Sequence, residues 1–226
     1  MVATCDAVIF DFDLTLADSA RGARECANYA LEVMGHARQR EDAIDPTVGL
    51  TLRETYTQLT GRAGEAERER FAELFVERAD EVMAGLTTFY PGTAETLRWL
   101  RQRRMPVGIV STKLRRRIAG LLEREGVSDL VDVVVGWEDV TEPKPSPEGI
   151  RVALGALGRD ANHAIYVGDS VVDARAADAA NLPFVAVDTG PTPAAELLAH
   201  GAVAVLADVG AVRGWVACDS CRKTRG

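Results

Sequence analysis

The chain has 226 residues, is 47% hydrophobic and 27% charged, and carries a formal net charge of −8. These values describe a globular chain with one sizeable core, or a core domain plus a smaller one, and the acidity excludes a general binder of nucleic acid or anionic membranes, which needs a basic field. No apolar run approaches the roughly 18 residues of a membrane span, no basic-then-apolar leader opens the chain, and four cysteines are too few for a disulfide scaffold, so cytoplasmic residence is expected.

Residues 6–10 read as a buried strand, too short for a helix and rich in β-branched and aromatic side chains. The strand ends in Asp11-Phe12-Asp13-Leu14-Thr15. Ser19 and its neighbours offer N-cap chemistry for a helix over 20–33, broken near Gly35. Residues 39–46 are charged, then looped. Thr51 caps a helix to about Leu59, which Gly61 stops. Phe71, Leu74, Phe75 and Val82 recur at helical spacing over 65–83. Residues 17–86 are therefore expected to be helical, with no strand.

Tyr90-Pro91-Gly92 is punctuation, after which the rhythm changes. Helices are expected over 93–103, 115–125, 147–157, 172–180 and 193–200, with a weak one over 209–215. Strands are expected over 106–110, 131–135, 164–167, 184–187 and 203–206. Strands alternating with helices predict a parallel sheet with right-handed crossovers. The expected division is an α/β core from 1–16 and 87–217, a helical insertion over 17–86, and a basic tail over 218–226.

Four loops then follow the carboxyl ends of predicted parallel strands, the edge where such sheets bind ligands. They hold Asp11 and Asp13, Ser111 and Thr112, Lys144, and Asp169 and Asp173. Carboxylates, hydroxyls and one lysine suit a divalent cation beside a phosphoryl group, because hard cations such as Mg²⁺ prefer oxygen ligands. Buried carboxylates are costly unless a cation or hydrogen bonds offset them.

The set Asp11-Phe-Asp13-Leu-Thr15, Ser111-Thr112, Lys144-Pro-Ser-Pro147 and Gly168-Asp169-Ser-Val-Val-Asp173 resembles the haloacid dehalogenase superfamily. It is most similar to its phosphoglycolate-phosphatase-like branch. The resemblance implies a Rossmann-like parallel-sheet core with a helical cap inserted after the first strand. It implies Asp11 as nucleophile, forming an aspartyl-phosphate, and Asp13 as the proton carrier for leaving group and water. Thr15 would orient the loop. Ser111, with Thr112 beside it, would bind the transferred phosphoryl group, and Lys144 would screen charge between Asp11 and phosphate. Asp169 would hold Mg²⁺ with Asp11 and the backbone carbonyl of Asp13, supported by Asp173. Arg53, in Gly49-Leu50-Thr51-Leu52-Arg53 of the cap, would clamp an anionic group of the substrate. Two departures stand out: Leu14 occupies a position where many relatives carry glycine, and Thr112 replaces a common asparagine.

The expected function is Mg²⁺-dependent hydrolysis of a small phosphorylated metabolite by a monomer or homodimer. A phosphosugar mutase of the same superfamily is the alternative, and a catalytically idle, partner-binding relative is a third reading. Asp13 argues against carbon–halogen cleavage, and the lack of any lysine over 17–86 argues against phosphonate cleavage through a Schiff base. Cys218-x-x-Cys221 lacks the other two ligands of a zinc site and reads as a reduced surface pair. The Arg115-Arg116-Arg117 run reads as a solvated helix face. His36, His163 and His200 are scattered and form no triad with an acid and a serine.

Overall fold

The computed structural model describes residues 5–218; the expected tail beyond Cys218, with Cys221, lies outside them. In chain order the elements are β1 (Ala7–Phe10), β2 (Ala17–Asp18), α1 (Ala20–Val33), α2 (Glu41–Ile44), α3 (Leu52–Thr60), α4 (Glu65–Leu86), β3 (Thr88–Phe89), α5 (Thr93–Gln102), β4 (Val107–Val110), α6 (Arg115–Arg124), β5 (Val133–Val135), α7 (Glu148–Leu157), β6 (Ala164–Gly168), α8 (Val171–Ala179), β7 (Phe184–Val187), α9 (Ala194–Ala199), β8 (Ala202–Leu206) and α10 (Val212–Ala217), with short 3-10 turns between some of them. They form two units: one from the residues up to Ala17 and from Phe89 onward, the other Asp18–Thr88.

The first unit is α/β. Six strands form one sheet in the order β5-β4-β1-β6-β7-β8, and every pairing in it is parallel. Successive side chains of a strand point to opposite faces. Val8 and Phe10 of β1 accordingly pack on one side with Leu97, Leu100, Ile109 and Val167. Ala7 and Ile9 pack on the other with Ile150, Leu154, Tyr166 and Phe184. Burial on both faces explains why the strands are continuous apolar runs rather than alternating ones. The chain runs from β1 outward through β4 to β5, then returns to β6 and runs outward through β7 to β8. The strand order therefore reverses beside β1, which puts the switch-point crevice of an open α/β sheet at the ends of β4, β1 and β6.

The second unit is built on helices. Tyr56 and Phe71 are fully buried in one cluster with Cys26 and Leu31 of α1 and Ile44 of α2. Their rings lie 5.5 Å apart, and His36 Nε2 lies 3.2 Å from the Tyr56 hydroxyl. Thr51 and Glu54 form a reciprocal capping box on α3, and Gly61 ends that helix at φ 70°, a left-handed conformation that glycine adopts without Cβ strain.

Two local expectations differ from the structure. The 39–46 stretch contains α2 rather than loop alone; Arg24 of α1 reaches Glu41 and Asp45 at 2.6 Å each and anchors that turn. The absence of strand over 17–86 also fails at its edge. Asp18 belongs to β2, which pairs with β3 as a two-stranded ribbon. Strands of two residues carry no periodicity for a sequence to display. Among the described residues no helix is long and apolar enough to cross a membrane.

Candidate active site

The loop after β1 folds back on itself at the switch point. Asp11 N–H donates to Val167 O at 2.8 Å, continuing the β1–β6 ladder one residue past the strand. Phe12 O accepts from Leu16 N–H at 2.9 Å and from Ala17 N–H at 3.0 Å, and Leu14 N–H donates to Ala17 O at 2.7 Å. Closing that turn puts Leu14 at φ 59°, the left-handed region, and the Thr189 hydroxyl caps its carbonyl. Leucine at the glycine-like position is thus a left-handed residue with a buried side chain.

Asp11 is buried at the bottom of the crevice. Lys144 Nζ lies 2.6 Å from Asp11 Oδ1 and 2.6 Å from Asp173 Oδ1. The loop that carries Lys144 is anchored by Glu148, whose carboxylate accepts the N–H groups of Thr141 at 2.9 Å and Glu142 at 2.8 Å. These two bonds hold the Glu148 carboxyl below its ordinary pKa.

Asp169 and Asp173 stand at the start of α8. Ser170 caps that helix: its hydroxyl donates to Asp173 Oδ2 at 2.6 Å and accepts Asp173 N–H at 3.2 Å. The spacing Ser-x-x-Asp is a capping signature that was readable at this position. Thr15 Oγ1 donates to Asp169 Oδ1 at 3.0 Å. Two glycines make room for these acids. A Cβ on Gly168 would lie 2.6 Å from Asp173 Cγ, and one on Gly190 would collide with Asp169 Oδ2. Gly190 escaped sequence reading; its place just beyond the carboxyl end of β7 was the available signal.

Asp11, Asp169 and Asp173 each offer an oxygen within 4.8 Å of the others, and all three are buried. Burial pushes Asp11 up to about 7, against the pull of Lys144 and with the repulsion of Asp173. Asp169 is raised well above the carboxylate range by burial first, then by Asp173 and Asp11. Burial disfavours the Lys144 ammonium, but Asp11 and Asp173 outweigh it and hold its pKa well above the usual lysine value. Three carboxylates thus gather around one ammonium that pairs with two of them, a donor set short of positive charge. Tyr166, buried beneath, donates to Val110 O at 3.2 Å and lies 3.3 Å from Asp173 Oδ1.

Asp13 stands apart from this carboxylate cluster. Its Oδ1 accepts from Lys113 Nζ at 2.6 Å. That pair ties the loop after β4 to the loop after β1, and Lys113 N–H donates to Ser111 Oγ at 3.2 Å within its own loop. Ser111 is buried and Thr112 half-buried on that loop. Sequence reading named Ser111 and Thr112 but gave Lys113 no role. Arg53 belongs to the helical unit, where its guanidinium pairs with Glu65 at 2.6 Å and Glu69 at 2.5 Å.

A two-sided parallel sheet with this group of acids and lysines at its switch point is the architecture of a Rossmann-like α/β enzyme whose site is made of carboxylates. Residues 8–187 match the haloacid dehalogenase-like hydrolase family, and the chain belongs to that family, in its phosphoglycolate-phosphatase-like branch. It is 33% identical over 221 residues to a phosphoglycolate phosphatase of Rhodospirillum rubrum, covering 93% of this chain and 90% of that one. It is 34% identical over 174 residues to the pyrophosphatase PpaX of Bacillus velezensis, covering 75% and 77%. The crystal structure of a haloacid dehalogenase-like hydrolase from Bacteroides fragilis superposes with a TM-score of 0.89 at 37% identity, covering 92% of this chain and 99% of that one.

Proposed function

We propose that the protein is a cytoplasmic, Mg²⁺-dependent phosphatase that hydrolyses a small phosphorylated metabolite through an aspartyl-phosphate on Asp11. The observation that carries this reading is the buried Asp11 carboxylate, 2.6 Å from Lys144 Nζ and grouped with Asp169 and Asp173. The donor set fits a hard divalent cation: three buried carboxylates with one ammonium leave two negative charges uncompensated, and oxygen is the ligand such cations take. Asp11 and Asp169 would hold the ion with the backbone carbonyl of Asp13. Asp173 supports them, since its own oxygens are engaged by Lys144 and Ser170. When bound, Mg²⁺ supplies positive charge against the phosphoryl oxygens and the anionic nucleophile.

The chain's own residues do the rest. A carboxylate oxygen of Asp11 attacks phosphorus, and the bond from phosphorus to the leaving oxygen breaks with its electron pair on that oxygen. Asp13 gives the leaving oxygen a proton. In the second half Asp13 takes a proton from water as the water oxygen attacks the aspartyl-phosphate, releasing inorganic phosphate and restoring Asp11. Lys144 holds Asp11 in place and offsets charge as the dianionic phosphoryl group approaches. Ser111 donates its hydroxyl to the group being transferred. Phosphoryl transfer depends mainly on such positioning and charge stabilisation. The helical unit serves as the cap, with Arg53 as its candidate anion clamp.

Relatives named for phosphoglycolate and for pyrophosphate make those two compounds the first to assay. Purified protein should release phosphate from a small ester only with Mg²⁺ present. Asp11→Asn should lower kcat by about 10³-fold or more, since no nucleophile remains to form the intermediate. Wild-type rates in that variant would sink the mechanism.

A further inference from the structure

The two lysines of the site hold unlike positions. Lys144 pairs with two acids, Asp11 and Asp173, both at 2.6 Å. Lys113 pairs with one acid, Asp13, although its side chain is only 9% exposed. An ammonium has three N–H bonds. One goes to Asp13 Oδ1; the others have no protein acceptor among the described residues, and the ring of Phe12 lies 5.9 Å from Nζ.

We propose that Lys113 is a substrate-binding residue that selects phosphoesters whose leaving group carries its own negative charge near the ester oxygen. The inference rests on the phosphatase reading and adds to it the residue that reads the leaving group. Asp13 must come within about 2.6–3.2 Å of the leaving oxygen to pass it a proton. Lys113 Nζ lies 2.6 Å from that same carboxylate. The ammonium is therefore within roughly 8 Å of the leaving oxygen, whichever oxygen of Asp13 carries the proton, on the leaving-group side of the phosphorus. A carboxylate or second phosphate one or two atoms beyond the ester oxygen reaches the free N–H bonds of Lys113. A neutral alcohol of the same size leaves those donors unmatched in a nearly dry place, which is the costly outcome. Lys144, facing the nucleophile, attends to the phosphoryl group of every substrate alike. Lys113, facing the proton carrier, reads what departs.

A simple prop for Asp13 is the competing role, and it makes a different forecast. Asp11→Asn in the full chain, with Mg²⁺, gives a form whose ligand affinities calorimetry can read without turnover. The probes are 2-phosphoglycolate and ethyl phosphate, similar in size and differing in the charge of the leaving group. Adding Lys113→Met should lower the ratio of their affinities roughly 10- to 100-fold, the range for a lost charged hydrogen bond. Lys113→Arg should restore much of that ratio, which also answers any loss of folding in the methionine variant. An equal loss for both probes, no loss for either, or no preference for 2-phosphoglycolate before Lys113 is changed overturns the proposal. The phosphatase reading fails separately, if wild-type protein releases no phosphate from any ester, while the affinity ratio still judges Lys113.

Discussion

Leu14 combines two features that normally exclude each other. Its backbone is left-handed at φ 59°, and its side chain is only 4% exposed. A left-handed L-residue costs about 1–2 kcal/mol, whereas burying a leucine side chain gains about 2–3 kcal/mol, so the side chain wins by a narrow margin. Leu14→Ala keeps the strain and forfeits the burial. Leu14→Gly forfeits the same burial and relieves the strain. The usual order therefore reverses: the glycine variant should be about 1 kcal/mol more stable than the alanine variant, with both below wild type. Urea unfolding of the three proteins checks this, and an alanine variant above the glycine one would refute it. Hydrophobic pattern reports which face a residue lies on, not the sign of its φ, so this conformation could not be read from sequence. The same blindness covers Lys113. A lysine after a strand end is legible as a cation near the edge, but the acid it meets is set by a loop a hundred residues earlier.

At the scale of elements, the parallel strands were legible because burial on both faces makes them short continuous apolar runs. The helices were legible because their caps are chemical: Thr51 with Glu54, and Gly61 at the end of α3. β2 and α2 were not, being too short for any period and held by pairing or by Arg24. The Lys144 loop is an intermediate case. Its prolines marked it as stiff, but its anchor is Glu148, from the first turn of α7, on the backbone of Thr141 and Glu142. Glu148 is a half-buried carboxylate whose job is to shape a loop that ends in a buried ammonium. Glu148→Ala should therefore lower kcat severalfold with little change in overall fold by circular dichroism, because misplacing a charge-bearing loop by a fraction of an ångström is felt in the rate. Glu148→Gln keeps one acceptor oxygen and should fall between. An alanine variant with unchanged kcat would mean that the prolines alone hold Lys144.

For the whole molecule, the site is a cost to folding, and the cost has a pH signature. Asp11 titrates near 7 in the folded chain against an ordinary 3.8, and Asp169 is shifted in the same direction. Between those values the folded state keeps protons that the unfolded chain has released, so raising the pH through that window removes stability. Lys144 titrates outside this window. Its pKa lies above the ordinary 10.5, because Asp11 and Asp173 overcome the penalty of burial. Its contribution is fully present below 10.5 and stays flat from about pH 4 to about pH 8. Without divalent cation, the melting temperature should therefore fall from about pH 5 to about pH 8. The net charge of −8 pushes the same way through self-repulsion, so the slope alone does not identify the site. Asp11→Asn separates the two. It removes one charge from the net count but the whole of the Asp11 titration, so its curve should be distinctly flatter. It should melt above wild type at about pH 8, by roughly 2–4 °C for each kcal/mol recovered. Mg²⁺ binds the ionised carboxylates, so it should raise the wild-type melting temperature more at about pH 8 than at about pH 5, and raise that of Asp11→Asn less at both. Parallel curves for the two proteins without metal would show that Asp11 is not held against its charge, and with that the case for a buried, cation-seeking nucleophile would lose its electrostatic half.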